Sequence, residues 1–369
     1  MKKLLVPTLL FGSFLAAQAQ FTAGDLVVLR DGTGAAALSS AGTAIFLDQY
    51  TTLGTFVNSL AIPASGTTAL VNSGTAGSEG ALNLSANGQY LVFAGYNTNA
   101  GVASIASTTD AAAPRGVATV DASGDYSLSA TTSTAFSANN IRSGATDGSG
   151  NYWAVGANSG TVYMGTGTPA SLSGTVANSR VIQDIGGNLF YSTGSGVNPG
   201  GRGIYEISGA PTSGTAATNI LLTTGTQFGA GASPYDFAFN SAMTIAYVAD
   251  ANSFTNSTTV GGVEKWTFNG SAWVFNYSLS LGTNGAVGLA VDFSGSTPEI
   301  FATSANGQSL FAISDTNSTA AGTLLDTASA NEAFRGLDFA PTSAPEPSTL
   351  ALGGLGLAAI ALLRRNRKA

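Results

Sequence analysis

Between about residues 21 and 340, hydrophobic positions fall in short runs separated by Gly, Asn, Asp and Ser. Asp25-Leu26-Val27-Val28-Leu29-Arg30, Gln89-Tyr90-Leu91-Val92-Phe93 and Ile245-Ala246-Tyr247-Val248 are examples. The runs alternate or are apolar throughout, and none sustains the 3.6-residue period of an amphipathic helix. That pattern predicts many short strands joined by turns.

A longer phrase recurs, with an apolar strand, a polar turn and a second strand. It appears at Ala81–Val92, Ile141–Trp153 and Val181–Phe190, and the strand portion appears again at Tyr235–Asn240, Gly288–Phe293 and Gly336–Phe339. Spacings of roughly 40 to 60 residues match the period of a propeller blade of four strands. The first strand of a blade is buried on both faces, which suits the small, apolar character of these phrases. Gly336-Leu337-Asp338-Phe339 reads as an innermost strand with no partners after it. Asp25–Arg30, Thr43–Tyr50 and Gly54–Leu60 read as three strands with no innermost strand before them. Together they complete one blade and close the ring, which removes the open sheet edges. The expected fold is therefore an all-β propeller of six blades, or seven if Val117–Leu128 begins its own. A β-helix is the alternative, though it would repeat nearer 20–25 residues, and a two-domain β-sandwich comes third.

Composition narrows the chemistry. Only 9% of the 369 residues are charged, against a usual quarter or so. Six of the 13 basic residues are terminal: Lys2, Lys3, Arg364, Arg365, Arg367 and Lys368. The seven that remain face 20 acids, so the body is acidic and unsuited to binding nucleic acid. There is no Cys and no His, which excludes disulfides, thiolate or imidazole catalysis and zinc sites built on those ligands. No cofactor and no metal site is expected.

The two ends read as addresses. Met1-Lys2-Lys3, an apolar stretch from Leu4 to Ala16 and the small-x-small site Ala17-Gln18-Ala19 form a secretory signal peptide over residues 1–19. At the other end, Pro345-Glu346-Pro347-Ser348 precedes an uncharged apolar segment, Thr349–Leu363, and then Arg364-Arg365-Asn366-Arg367-Lys368. Fifteen apolar residues make about 22 Å of helix, short of the roughly 30 Å hydrocarbon core. Arg364, Arg365, Arg367 and Lys368 hold the cytoplasmic side by the positive-inside rule. The segment is thus a marginal stop-transfer helix following a body, residues 20–344, that has already crossed.

The order Pro-Glu-Pro, apolar helix, terminal arginine cluster resembles the PEP-CTERM sorting tail of Gram-negative-type bacteria. The resemblance covers residues 345–369. It implies recognition by an exosortase, cleavage near Pro345, Glu346 and Pro347, and passage of the body from a transient membrane anchor to the cell surface. The body is also similar to the Gly- and Asn-rich propeller-like ectodomains found on such proteins.

Candidate chemistry in the body is sparse. Asp121-Ala122-Ser123-Gly124-Asp125 and Asp147-Gly148-Ser149-Gly150-Asn151 resemble the start of a calcium loop. Such a loop needs Gly at its sixth position and Glu at its twelfth. Here those positions hold Tyr126 and Thr132, and Tyr152 and Asn158, so ordinary hairpin turns are the preferred reading. Asp236, Asp292 and Asp338 occupy matching places in three phrases. Carboxylate pairs can hydrolyse glycosides without His, so these three are the catalytic candidates if their strands line a channel. A repeated structural acid is the preferred reading. Arg142, Arg180, Arg202 and Arg335 are assigned to salt bridges with those acids. Trp266 and Phe268 on one run, and Trp273, Phe275 and Tyr277 on the next, flank the hairpin signal Asn269-Gly270. Packing between blades is expected for them, with a sugar-stacking platform as the alternative. The functional expectation is a non-enzymatic surface or matrix scaffold, monomeric as an ectodomain. Its partners would be an exosortase and exopolysaccharide or other surface components. The alternative is a carbohydrate-binding or glycan-cleaving propeller using channel carboxylates.

Overall fold

The computed structural model describes residues 21–165, 169–173, 177–195, 201–214, 218–222, 231–259 and 261–343. The sequence dictates short strands, and short strands are what form. The first three are β1 (Leu26–Asp31), β2 (Gly42–Tyr50) and β3 (Phe56–Ala61), followed by a three-residue connector, β4 (Val71–Ser73). The next group is β5 (Leu82–Leu84), β6 (Tyr90–Tyr96), β7 (Arg115–Asp121) and β8 (Tyr126–Thr132). Then come β9 (Ile141–Thr146), β10 (Tyr152–Gly156), β11 (Thr161–Tyr163) and β12 (Ala170–Ser173). They are followed by β13 (Ser179–Ile185), β14 (Asn188–Thr193), β15 (Gly203–Ile207) and β16 (Thr218–Leu222). The last strands are β17 (Pro234–Phe239), β18 (Ile245–Asp250), β19 (Gly262–Phe268), β20 (Trp273–Leu279), β21 (Ala286–Asp292), β22 (Glu299–Ser304), β23 (Ser309–Ser314), β24 (Thr323–Thr327) and β25 (Ala333–Phe339). The described residues contain no α-helix, and a short 3-10 turn covers Ile105–Ser107.

Every pair of these strands is antiparallel, and the strands group into four-stranded meanders. Four of them, β9–β12, β13–β16, β17–β20 and β21–β24, are separate sheets. Two more, β25-β1-β2-β3 and β5-β6-β7-β8, are joined into one nine-stranded sheet because β4 bridges β2 to β6. The innermost strands β5, β9, β13, β17, β21 and β25 each contact the next, and β25 returns to β5. This is an all-β propeller ring. A β-helix would pair strands of successive coils in parallel, and no such pairing occurs between the strands. Val117–Leu128, the region that would have started an extra unit, lies within β7 and β8, the outer half of the second meander.

Closure follows the reading of the two chain ends. β25 pairs antiparallel with β1, from Leu26 opposite Phe339 to Asp31 opposite Ala333. The last strand in sequence is thereby the innermost strand of the first unit. Buried side chains form clusters between successive units. The cluster of Leu26, Val28, Phe301, Leu310, Phe334 and Leu337 seals the last unit to the first. Burial falls from the centre outward: β9 is buried along its length, whereas β3 and β24 are largely exposed. The centre is tight enough to demand glycine. A Cβ on Gly336 would lie 2.2 Å from the Leu82 nitrogen, a distance no side chain tolerates.

Candidate functional site

The innermost strands carry a continuous belt of hydrogen-bonding side chains around the ring. Asn83 on β5 donates its Nδ2 to Ser143 Oγ and Gly144 O on β9 (both 3.0 Å) and to Ile182 O on β13 (3.1 Å). Ser143 Oγ also accepts from the Ile182 amide at 3.1 Å. Gln183 on β13 donates to Asp236 Oδ1 and Phe237 O on β17, both at 2.9 Å. Asp236 Oδ2 accepts from the Leu289 amide on β21 at 3.0 Å. Thr303 on β22 accepts from the Gly288 amide on β21 at 3.0 Å and donates to Arg335 O on β25. Asp338 on β25 closes the circuit by accepting from the Leu84 amide on β5 at 2.7 Å. Each link satisfies a backbone group on an inner strand.

Two of the three candidate carboxylates belong to this belt. Asp236 is 1% exposed. Burial raises its pKa well above the usual carboxylate range, the amides of Leu289 and Phe237 counter that, and the Asp338 charge adds to it. Burial also raises Asp338, to about 7. Asp292 is not with them. It is exposed at the end of β21, accepts the Ser294 amide at 2.8 Å, and that bond holds its pKa low. Asp292 is set apart from Asp236 and Asp338, because the shared Asp-Phe phrase sits at different heights on its strands. Asp236 is the third residue of β17, Asp338 the sixth of β25 and Asp292 the last of β21.

The arginines do not pair with these acids. Arg335 Nε bridges to Asp31 Oδ2 at 2.8 Å, on the neighbouring strand β1. Arg142 and Arg180 make no ion pair among the described residues. Arg142 Nη1 donates to Asn178 Oδ1 (2.6 Å) and Ser179 O (3.2 Å), and Arg180 Nη1 donates to Ser233 Oγ (2.7 Å). Arg202 Nη1 donates to Ala232 O at 2.6 Å. The guanidiniums of Arg142 and Arg180 reach from one inner strand to the chain entering the next, a role that carbonyls and hydroxyls fill without a carboxylate. Glu79 lies at the same end of the ring. Its Oε2 accepts the Ser73 amide at 2.7 Å, its Oε1 accepts the Tyr96 hydroxyl at 2.7 Å and the Asn140 amide, and burial raises its pKa to about 7. Sequence reasoning passed over Glu79, Asn83, Ser143 and Gln183. The available signal was polar residues inside otherwise apolar inner strands.

The aromatic hairpin packs between units. Trp266 is 2% exposed and meets Phe275 edge-on at 5.4 Å, while Trp273 meets Phe268 at 5.6 Å and Phe239 at 5.5 Å. Tyr277 lies on the face of β20 opposite Phe275, although strict alternation would put residues two apart on one face. A bulge between Lys265 and Trp266 places two residues of β20 against one, which reverses the alternation. Tyr277 then donates to Asp315 Oδ1 at 2.8 Å, beside the Lys265–Asp315 bridge of 2.6 Å. In the two acidic turns, Asp121 Oδ1 accepts the Ser123 and Asp125 amides, and Asp147 Oδ1 accepts those of Ser149 and Asn151. These are turn-capping bonds.

A cavity of about 300 Å³ opens at the seam between the first and last units. Arg30, Asp48, Tyr50, Phe56, Asp326 and Glu332 line it. Arg30 bridges Asp48 at 2.5 Å and Glu332 at 2.8 Å, and Tyr50 meets Phe56 edge-on at 5.6 Å.

Residues 343–368 match the PEP-CTERM protein-sorting motif. The chain is an exported protein with a C-terminal membrane-anchor sorting signal, processed by an exosortase and delivered to the cell surface. Pro345, Glu346, Pro347 and Ser348, the apolar segment 349–363 and Arg364, Arg365, Arg367 and Lys368 fall within that match and outside the described residues. The signal-peptide positions Ala17 and Ala19 are likewise outside them. No curated protein matches the sequence. Among solved structures, a chain of a nidogen/laminin complex aligns with TM-score 0.53 and 11% identity over 86% of this chain and 100% of its own. The GH74 enzyme of Niastella koreensis aligns at 0.47 and 15% identity over 83% and 46% of the two chains. The Cps50 (Swd1) β-propeller domain of Myceliophteria thermophila aligns at 0.40 and 9% identity over 71% and 90%. The likeness is one of fold.

Proposed function

We propose that the surface-delivered ring is a non-enzymatic, monomeric scaffold that binds components of the cell surface or extracellular matrix. The observation that carries this reading is the use of Asp236 and Asp338. Both accept backbone amides of the next inner strand, so the acids placed best for catalysis are occupied in holding the ring together. A general acid or nucleophile needs its oxygen free to reach a substrate. Surface polysaccharide is the partner class that a weakly charged exterior tolerates.

A second reading, glycan binding, is favoured by the seam cavity. Phe56 there is 53% exposed, and a ring face beside carboxylates is the arrangement that stacks a sugar and hydrogen-bonds its hydroxyls. The protein collected after processing, tested on a glycan array and in a hydrolase screen, separates the readings. Binding without turnover is expected. Hydrolysis that disappears in both Asp236→Asn and Asp338→Asn would replace the scaffold with a glycan-cleaving enzyme. Glycan retention lost on Phe56→Ala alone would place recognition at the seam.

A further inference from the structure

The seam cavity is walled by the outer strands of two neighbouring units. The turn before β3 rests on β24, where a Cβ on Gly54 would lie 2.9 Å from the Leu325 Cβ. β2 supplies Asp48 and Tyr50, β3 supplies Phe56, and Asp326 on β24 and Glu332 before β25 belong to the other wall. Among the described lining residues Arg30 is the one cation. Three carboxylates thus face one guanidinium, and the lining carries two negative charges in excess.

That guanidinium has nothing left to offer a ligand. Arg30 Nε and Nη2 donate to Asp48 at 2.5 and 3.4 Å, and Nη1 donates to Gly32 O at 2.6 Å and Glu332 Oε1 at 2.8 Å. The group also stacks over the Phe46 ring at 4.3 Å. Asp48 is equally occupied, since its Oδ1 accepts the Ser59 hydroxyl as well. Asp326 differs. It accepts the Thr327 amide at 2.7 Å and the Tyr50 hydroxyl, both neutral donors, and has no cationic partner among the described residues. Glu332 shares its one cation with Asp48 and meets it through Oε1.

An anion entering here meets excess carboxylate and no spare positive donor. A metal ion requires several oxygens converging on one point, and among the described residues no three acids are arranged to hold one. A protonated amine on an organic frame satisfies both constraints. Its N–H groups can make charge-assisted bonds to Asp326 and Glu332, while the frame lies on Phe56, which is 53% exposed. The Phe56 ring stands at 72° to that of Tyr50, and aromatic faces attract a cation in addition.

We infer that the seam cavity binds a cationic sugar, one unit of a polysaccharide whose amines are free and not acylated. The inference rests on the glycan reading of this cavity and names the class of sugar. At about 300 Å³ the cavity is at the small end of ligand sites, which suits one hexosamine unit with its neighbours outside. Thr327 and Ser329, also in the lining, are suited to sugar hydroxyls. The charge that selects for an amine selects against a uronate.

Isothermal titration of the processed protein at mildly acidic pH tests it, with a glucosamine tetramer, its N-acetylated form, a neutral glucose tetramer and a galacturonate tetramer as titrants. The glucosamine tetramer should bind saturably and about tenfold or more tightly than the acetylated and neutral tetramers, and galacturonate should not bind. A second readout needs no variant: raising the pH through the titration of the sugar amine should abolish the preference while the neutral tetramer binds as before. Asp326→Asn should weaken the glucosamine tetramer about tenfold and leave the neutral tetramer within about twofold, whereas Phe56→Ala should weaken every sugar. Equal affinity for the amine and the acetylated or neutral tetramers would overturn the inference and leave the glycan reading in place, as would tighter binding of galacturonate. Absence of binding by all four sugars would remove both.

Discussion

Raising the pH from 5 to 8 should destabilise this protein, opposite to the acid denaturation that governs most carboxylate-stabilised folds. Burial raises Glu79 from 4.5 to about 7 and Asp338 from 3.8 to about 7. A carboxyl with a raised folded-state pKa contributes stability that is complete below its unfolded pKa. That stability is lost as pH rises through the folded value. At about 1.4 kcal/mol per pH unit, the two shifts correspond to about 3 and about 4 kcal/mol. Asp31, Asp236, Asp250 and Glu264 are also raised, mainly by burial, and act in the same direction. Asp147 and Asp292 are lowered and oppose them, but both sit at the surface end of their strands in short turns. Taking Glu79 alone as the conservative figure, a loss of about 3 kcal/mol is expected between pH 5 and 8, or about 5 to 10 °C in Tm.

Urea unfolding of the processed protein at several pH values measures this directly, with a constant m-value as the check on two-state behaviour. Glu79→Gln lowers absolute stability, because one amide proton then faces the Ser73 or Tyr96 donor. It should also flatten the pH profile by about the Glu79 share of 3 kcal/mol. Stability that is level or rises from pH 5 to 8, or a Glu79→Gln profile parallel to the parent, would refute the reasoning.

Gly336→Ala should destabilise by about 3 kcal/mol or more, since its Cβ would meet the Leu82 nitrogen at 2.2 Å and the Ala81 Cα at 2.8 Å, both of them backbone; denaturant midpoints read it. Asn83→Ala removes three hydrogen bonds joining β5 to β9 and β13, and a loss of about 3 kcal/mol is expected by the same assay. Glu346→Ala should block exosortase processing, so that mass spectrometry finds the peptide ending at Ala369 in a membrane-held form and not in the parent surface form.

The ring was legible because its strands are punctuated. Gly, Asn and Asp sit wherever the chain turns, and the recurrence of apolar strand, polar turn and strand survives loops of different length. Closure was legible for a related reason: an inner strand without followers and outer strands without a leader can satisfy their edges only together. Side-chain direction was less legible. One extra residue in β20 turns Tyr277 to the opposite face from Phe275, and no residue type announces that bulge. Register hid the acids in the same way, since Asp292 shares its local sequence with Asp236 and Asp338 but sits at the outer end of its strand. The belt was illegible as a unit. Asn83, Ser143, Gln183, Asp236, Thr303 and Asp338 come from separate phrases and are of different types, and only the ring geometry makes them neighbours. Arg142 and Arg180 were noticed as rare charges, but scarcity alone does not distinguish an ion pair from a staple to carbonyls.

The placement of the closing strand also separates folding from sorting. β25 ends at Phe339, and the chain stays fastened to the ring only slightly further. The Ala340 amide donates to Asp25 O at 2.8 Å, and the Thr342 amide and hydroxyl donate to Gly88 O at 2.9 and 3.1 Å. The sorting match begins at residue 343, immediately after the last of these bonds. Among the described residues, every hydrogen bond that closes the ring therefore lies upstream of the Pro-Glu-Pro. Cleavage there removes the membrane segment without withdrawing a strand from the sheet or a member from the inner belt. A tail that overlapped β25 would couple processing to unfolding, because losing the innermost strand would reopen the edge of β1 and expose Leu26, Val28 and Leu337. Completing the ring before the sorting signal begins means that folding of the body, as described, does not draw on residues of the matched motif beyond residue 343.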